Sequence, residues 1–188
     1  MSSNDREKWN QAYRARSDRL PPSAFVTGLG PLLPARGRAL DVAGGAGRHA
    51  LWLAGRGLEV TLADVSDVAL AEAAQAAADA GLALATLQLD LEAAPLPPGP
   101  WDVVLCSFFL HRPLFAHFAE ALAPGGLLAV AHPTRRNLER HPKPGAAFLL
   151  EKGELATLAH GLEVMSCDEA WRESGVHEAR LIARRPAS

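Results

Sequence analysis

Five short apolar runs punctuate the middle of the chain, at residues 38–42, 58–63, 82–89, 101–107 and 127–131. Helix-patterned stretches fill the intervals at 46–56 and 66–81, and another begins at Pro113 with Leu114, Phe115, Phe118 and Leu122 spaced to face inward. Parallel neighbours need a long crossover, normally a helix, so this alternation predicts a parallel sheet covered on both faces. Ser66 is placed to cap the alanine-rich helix that ends at Gly81, and Pro124-Gly125-Gly126 reads as a turn before the fifth strand. Upstream, residues 4–16 form a short helix pattern with Trp9 and Tyr13 on one face, and Ser23 caps a second helix running to about Leu33. Downstream, a basic, proline-containing loop is expected over 133–147 and a helix over 151–160. The runs 162–167 and 176–183 are then expected to form an antiparallel pair.

At 188 residues the chain fits one domain with its own core, and 48% hydrophobic residues argue against disorder. A net charge of −2 and a pI near 6.4 point away from nucleic acid or an anionic membrane as partner. No apolar run approaches the length of a membrane span, and the charged start MSSNDREKWNQAYRARSDR lacks the apolar stretch of a signal peptide. Cys106 and Cys167 lie far apart and suggest no disulfide framework, which favours a reducing cytoplasm. No His/Cys/carboxylate cluster has metal-ligand spacing, so no metal is expected.

The chemistry concentrates in Ala39-Leu-Asp-Val-Ala-Gly-Gly-Ala-Gly-Arg-His49, where a strand ends in a glycine-crowded turn that opens a helix. Gly44, Gly45 and Gly47 allow a backbone to approach a ligand closely, and the helix start offers free N–H groups. Asp64 closes the second strand, where an acid can bind both hydroxyls of an adenosine ribose; a cap on the next helix is the bland alternative. Asp90 follows the third strand, either as an acceptor for an adenine amino group or as a solvated loop acid. In an open parallel sheet these loops converge on one carboxyl edge. Gly45-Ala-Gly47-Arg-His-Ala50 also satisfies the GxGxxG/A dinucleotide pattern, which keeps an NAD(P)-dependent oxidoreductase in view. Against it, Asp41 precedes the glycines, where a carboxylate repels pyrophosphate but suits an ammonium or sulfonium cation.

Together these segments resemble the class I S-adenosylmethionine-dependent methyltransferases. Leu40-Asp-Val-Ala-Gly-Gly-Ala-Gly47 is similar to their motif I, with Ala43 at the usual first glycine and Gly44 at the usual cysteine. Val60-Thr-Leu-Ala-Asp-Val-Ser66 resembles motif II, Leu89-Asp90-Leu91 the adenine-side end of strand three, and Trp101-Asp-Val-Val-Leu-Cys-Ser107 motif IV. Leu122-Ala-Pro-Gly-Gly-Leu127 is similar to the turn before strand five. Trp9-Asn-Gln-Ala-Tyr13 resembles a WDxxY segment that covers the donor. The match spans about residues 7–131. It implies a Rossmann-like, doubly wound α/β fold: a mostly parallel seven-stranded sheet with an antiparallel C-terminal strand. The implied domain covers residues 1–188, with a helical cover (1–33), a donor-binding core (36–131) and a C-terminal sheet edge (132–188).

The resemblance implies S-adenosylmethionine as the cofactor and a small-molecule methyl acceptor as the partner. Its implied donor contacts are Trp9, Tyr13, Asp41, Ala43, Gly44, Gly45, Gly47, Arg48, Asp64, Val65, Asp90, Leu91, Cys106 and Ser107. Gly47-Arg-His49 and the ending Gly175-Val-His-Glu-Ala-Arg-Leu-Ile-Ala-Arg-Arg185 further resemble the tellurite-resistance methyltransferase group, associated with tellurium, selenium or thiol nucleophiles. Acceptor-side residues of this fold commonly follow strand four. There His111 is the first choice for a substrate contact or base, and Arg112 for attracting an anion; both are equally readable as surface residues at a helix start. His132, Arg135 and Arg136 follow strand five and read either as an anion site or as a solvated basic loop. His177 and Glu178 match the narrower group's ending and are readable as solvent-facing. Cys106 reads as a small buried residue rather than a nucleophile. A non-catalytic S-adenosylmethionine-binding regulator remains a further alternative, separated from an enzyme by turnover.

Overall fold

The computed structural model describes residues 3–16 and 20–187. The expected helical cover therefore loses residues 1, 2 and 17–19, which lie outside the described residues, as does residue 188. In chain order the elements are α1 (Ser3–Arg14), α2 (Ala24–Gly28), β1 (Arg38–Val42), α3 (Arg48–Ala54), β2 (Glu59–Asp64), α4 (Asp67–Asp79) and β3 (Leu84–Gln88). Then follow β4 (Trp101–Ser107), α5 (Arg112–Phe115), α6 (Phe118–Ala121), β5 (Leu122–Pro133), α7 (Glu154–Leu158), β6 (Glu163–Trp171) and β7 (His177–Arg184). The seven strands form one sheet in the order β3-β2-β1-β4-β5-β7-β6. The pairs from β3 to β5 are parallel; β7 runs antiparallel to both β5 and β6, closing the sheet as the sequence implies.

Period-2 alternation along β1, β4 and β5 divides the core into two layers. Leu40, Val42, Val104, Cys106, Leu128 and Val130 bury against Leu114, Phe115 and Phe118 from α5–α6 and Leu155 from α7. Ala39, Val103, Leu105, Leu127 and Ala129 face the other way, onto Ala50 and Leu53 of α3, Leu70 and Ala73 of α4, and Val26 of α2. The central strands are thus apolar on both faces, as a sheet covered on both sides requires.

Several boundaries differ from expectation. The helix after the glycine turn starts at Arg48, because the turn itself needs left-handed backbone at Gly45 and Gly47. The second helix is a five-residue α2 followed by a 3-10 turn, Gly30–Leu32, where Gly28, Gly30 and Pro31 crowd the chain. The helix expected from Pro113 is two short pieces, and Leu122 is not on it. Leu122 pairs with Trp101 as the first residue of β5, so the sheet claims the chain before a longer helix forms. Pro124-Gly125-Gly126 is accordingly an irregularity inside β5, where the register jumps between Trp101 and Val103. The loop after β5 is not uniformly solvated: it contains a 3-10 turn at Arg135–Glu139 with Asn137 buried beneath it. Cys167 lies exposed on the edge strand β6. Among the described residues no helix is long and apolar enough to cross a membrane, and no metal-ligand cluster occurs.

Candidate functional site

Asp41, Asp64 and Ser107 sit at or next to the carboxyl ends of β1, β2 and β4, and the glycine turn bridges β1 to α3. The sheet edge therefore gathers the sequence-selected residues that are far apart in the chain. Asp64 is buried and already committed: its two carboxylate oxygens accept from Gly45 N–H at 2.9 Å and Ser66 N–H at 2.9 Å. Burial raises its pKa, and the N–H donors of Ser66, Gly45 and Val65 oppose the rise. Asp64 thus ties the turn to β2, and the helix cap falls to Ser66, whose hydroxyl accepts from Ala69 N–H at 3.1 Å.

Asp41 is the electrostatic exception. It is fully buried, and neither carboxylate oxygen has a hydrogen-bonding partner. Burial pushes its pKa up to about 7. Ala50 N–H works the other way, close enough to favour the anion though outside hydrogen-bond geometry, and the Arg48 cation adds to that. The carboxylate lies against the glycine turn: a Cβ on Gly44 would meet Asp41 Oδ2 at 2.4 Å. One position earlier, Ala43 adopts φ +53, a left-handed backbone where glycine is the usual occupant. Arg48 is half-buried at the start of α3; burial lowers its pKa, and the charges of Asp41 and Glu178 oppose the lowering.

The amino-terminal helix is bolted over this edge. Asn10 is buried; its amide donates to Asp67 at 2.8 Å and its carbonyl oxygen accepts from Ser66 Oγ at 2.7 Å. One turn on, Tyr13 reaches the glycine turn, and burial together with the nearby Asp64 carboxylate pushes its pKa up to about 12. The phenol therefore keeps its proton at neutral pH. Trp9 is more exposed and lies 6.5 Å from the Tyr13 ring. Asn10 is a residue that sequence reading passes over, although its spacing of three from Tyr13 puts both on one helical face.

The remaining sequence-selected residues divide by side-chain direction. Val65 is half-buried beside Asp64, and its carbonyl accepts from the Gln88 amide. Asp90 is half-buried, and Oδ1 accepts from Glu92 N–H, an Asx-type turn after β3. Leu91 and Cys106 put their side chains into the core, with the Cys106 thiol donating to Phe109 O, so their backbones alone face the edge. Burial drives the Cys106 thiol far above its ordinary pKa. Ser107 Oγ is buried with no partner. His111 is half-buried at the start of α5. Arg112 grips Glu154 at 2.5 and 2.9 Å and donates to Leu149 O at 3.2 Å, so its guanidinium is largely occupied.

His132 and His177, readable from sequence as solvated, are buried. His132 Nε2 lies 2.9 Å from the Phe148 carbonyl, which only accepts; Nε2 carries the hydrogen, and Nδ1 is left buried and unpartnered. His177 bonds Thr134 through Nδ1 at 2.7 Å, and Asn137 clasps its backbone on both sides. His49 is buried on α3, accepts from Ser23 N–H at 3.3 Å, and is held neutral with a pKa pushed down to about 3 by burial and Arg48.

Residues 39–126 match the family described as "Methyltransferase domain". The match covers a little under half of the chain. The first strand, glycine turn, Asp64 and fourth strand all fall inside the match. The solved structures similar to the chain include one from work on the conversion of a disulfide bond into a thioacetal group during echinomycin biosynthesis. There the identity is 21% and the TM-score 0.77, over 98% of this chain and 94% of that one. TehB from Haemophilus influenzae follows at 19% and TM-score 0.75, over 96% of this chain and 66% of that one. Magnesium protoporphyrin IX methyltransferase from Synechocystis PCC 6803, with bound S-adenosylhomocysteine, gives 17% and 0.73, over 97% and 98%. Likeness at these identities speaks to the fold. No curated protein matches the chain in sequence.

Proposed function

We propose that the protein methylates a small, soft nucleophile, a thiolate or a reduced selenium or tellurium species, in the cytoplasm. The observation that carries the donor side is Asp41: a buried carboxylate without a hydrogen-bond partner, pressed against the glycine turn. Such a group repels a pyrophosphate and is satisfied by a cation, which favours a sulfonium donor over a dinucleotide. Gly44 and Gly45 let side chains lie directly on the turn, since a Cβ would meet Asp41 and Leu62 at the first and the Tyr13 hydroxyl at the second. Asp64 then accepts from the ribose hydroxyls with the lone pairs that Gly45 and Ser66 leave, and Tyr13 covers the turn as a neutral donor.

S-adenosylmethionine supplies a methyl group already activated on sulfur, which in-line attack removes to leave S-adenosylhomocysteine. A thiolate or its heavier analogues carries no proton to be lost in that step, so the chain's task is positioning and exclusion of water. This agrees with burial lowering the pKa of His49, to about 3, and that of His132. His111 is then an acceptor contact rather than a base. The sulfur-centred conversion named for one similar structure lies in the same chemical class.

Donor binding is tested by thermal stability. S-adenosylmethionine or S-adenosylhomocysteine should stabilise the fold by about 2.7 kcal/mol at a hundredfold excess over Kd. Stabilisation by NAD alone would overturn the reading in favour of an oxidoreductase, and donor binding without turnover in favour of a regulator. The acceptor class is tested with His111→Ala: a higher KM at near-constant kcat supports a soft nucleophile. A hundredfold fall in kcat on a hydroxyl or amine acceptor would refute it.

A further inference from the structure

Phe108 follows β4 directly, and its backbone sits at φ +61. Among the described non-glycine residues it shares the left-handed region with Ala43 alone, and Ala43 follows β1. Strands β1 and β4 are neighbours at the centre of the sheet, where the crossovers part toward opposite edges. This is the switch point at which open α/β sheets bind their ligands. Left-handed backbone is costly for an aromatic residue, whereas Asn or Gly adopts it cheaply. The strain is firmly fastened, because Phe108 N–H donates to Ala131 O at 2.9 Å. It also has a visible consequence. Of the three apolar residues in a row, Phe109 and Leu110 pack against the core, while the Phe108 ring is turned out and left 47% exposed. The Phe108 backbone stands where β4 meets β5, whereas Asp64 lies on β2, beyond β1. It is therefore on the side of the glycine turn away from the ribose acid.

We propose that the Phe108 ring walls the acceptor subsite, and that the acceptor carries a flat apolar or aromatic body next to its reacting atom. The proposal rests on the methyl-transfer reading and narrows it: an aromatic thiolate fits, and a bare inorganic anion gains nothing from the ring. Backbone strain retained at a switch point, with an apolar ring held toward water, is the arrangement expected where ligand contact repays the cost.

The test uses the full chain and two probes that share a sulfur nucleophile, thiophenol and hydrosulfide, with thioanisole as the methylated product of the first. Phe108→Asn suits the left-handed backbone and should leave thermal stability equal or higher, with S-adenosylhomocysteine affinity unchanged. Thioanisole binding to the S-adenosylhomocysteine complex, read by ligand-observed NMR, should weaken about tenfold, the size of one lost aromatic contact. The KM for thiophenol should rise in parallel, the KM for hydrosulfide should stay, and Phe108→Tyr should retain wild-type values. The proposal is overturned if thioanisole does not bind the wild-type complex, if it binds Phe108→Asn equally well, or if both thiols suffer equally. Loss of S-adenosylhomocysteine binding by the wild type would instead sink the methyl-transfer reading and this proposal with it.

Discussion

The Tyr13 hydroxyl rests directly on Gly45: a Cβ placed there would meet the phenol oxygen at 1.9 Å. Gly45 also has φ +59, so alanine there is strained twice, by backbone and by contact. Gly45→Ala should cost about 1–2 kcal/mol of stability from the left-handed backbone alone, and more through displacement of α1. In a Tyr13→Ala background the contact part vanishes, so the same substitution should cost less. Denaturant unfolding of the four proteins in that cycle measures the difference, and strict additivity would show that Tyr13 and Gly45 do not touch.

Asp64 has a double task, since it already holds Gly45 N–H and Ser66 N–H. Asp64→Ala should weaken donor binding by roughly 1.5–3 kcal/mol, the value of a hydrogen bond to a charged group. That is about ten- to over a hundredfold in Kd by calorimetry. Asp64→Asn keeps one acceptor oxygen for the turn and should fall between. Unchanged affinity in a folded Asp64→Ala protein would remove this residue from the donor site.

Asp41 and His49 oppose each other in acid. Burial lifts the folded-state pKa of Asp41 to about 7, above its unfolded value, so the folded protein holds an extra proton and Asp41 lowers stability as pH rises from about 4 to 7. His49 is pushed down to about 3, so its contribution is whole above the unfolded pKa near 6.5 and drains away as pH falls toward 3. Relative to wild type, Asp41→Asn should gain stability progressively as pH rises from 4 to 7. His49→Leu should lose less stability than wild type on acidification from 6.5. Parallel stability–pH curves for all three proteins would contradict both assignments.

The sheet was legible because each central strand is a short apolar run bounded by turn residues, and because the glycines after Val42 mark a strand-to-helix turn. Asp41, Asp64 and Ser107 were legible by place, since strand ends in a parallel sheet share one edge. The short pieces α5 and α6 were not, because Leu122 is equally good on a helix face and in a strand, and its pairing with Trp101 decides. Nor were His132 and His177 legible: their burial comes from Phe148 and from Thr134 and Asn137, partners fixed by how the loop after β5 folds back. Phe108 was invisible for a related reason, since only the backbone dihedral distinguishes it from its neighbour Phe109.

Arg112 and Glu154 supply the last test, because the pair stands between an anchoring role and an acceptor role. The guanidinium meets both carboxylate oxygens and the Leu149 carbonyl, pinning the segment before α7 beside α5. The Arg112 side chain is 40% exposed and Glu154 17%, so solvent screening limits the pair to about 1 kcal/mol of coupling. The bidentate geometry keeps that value from falling to zero. Arg112→Leu and Glu154→Gln should therefore each lower stability, with the double variant losing less than their sum. Freeing Arg112 through Glu154→Gln should lower the KM for a negatively charged acceptor if the guanidinium also attracts substrate. It should leave KM unchanged if the residue only anchors the segment. With two of its nitrogens spent on Glu154 and the Leu149 carbonyl, the structure favours anchoring, and KM measured for thiophenolate against a neutral thioether, which is methylated to a sulfonium, separates the outcomes. A large fall in KM confined to the anion would overturn the anchoring role.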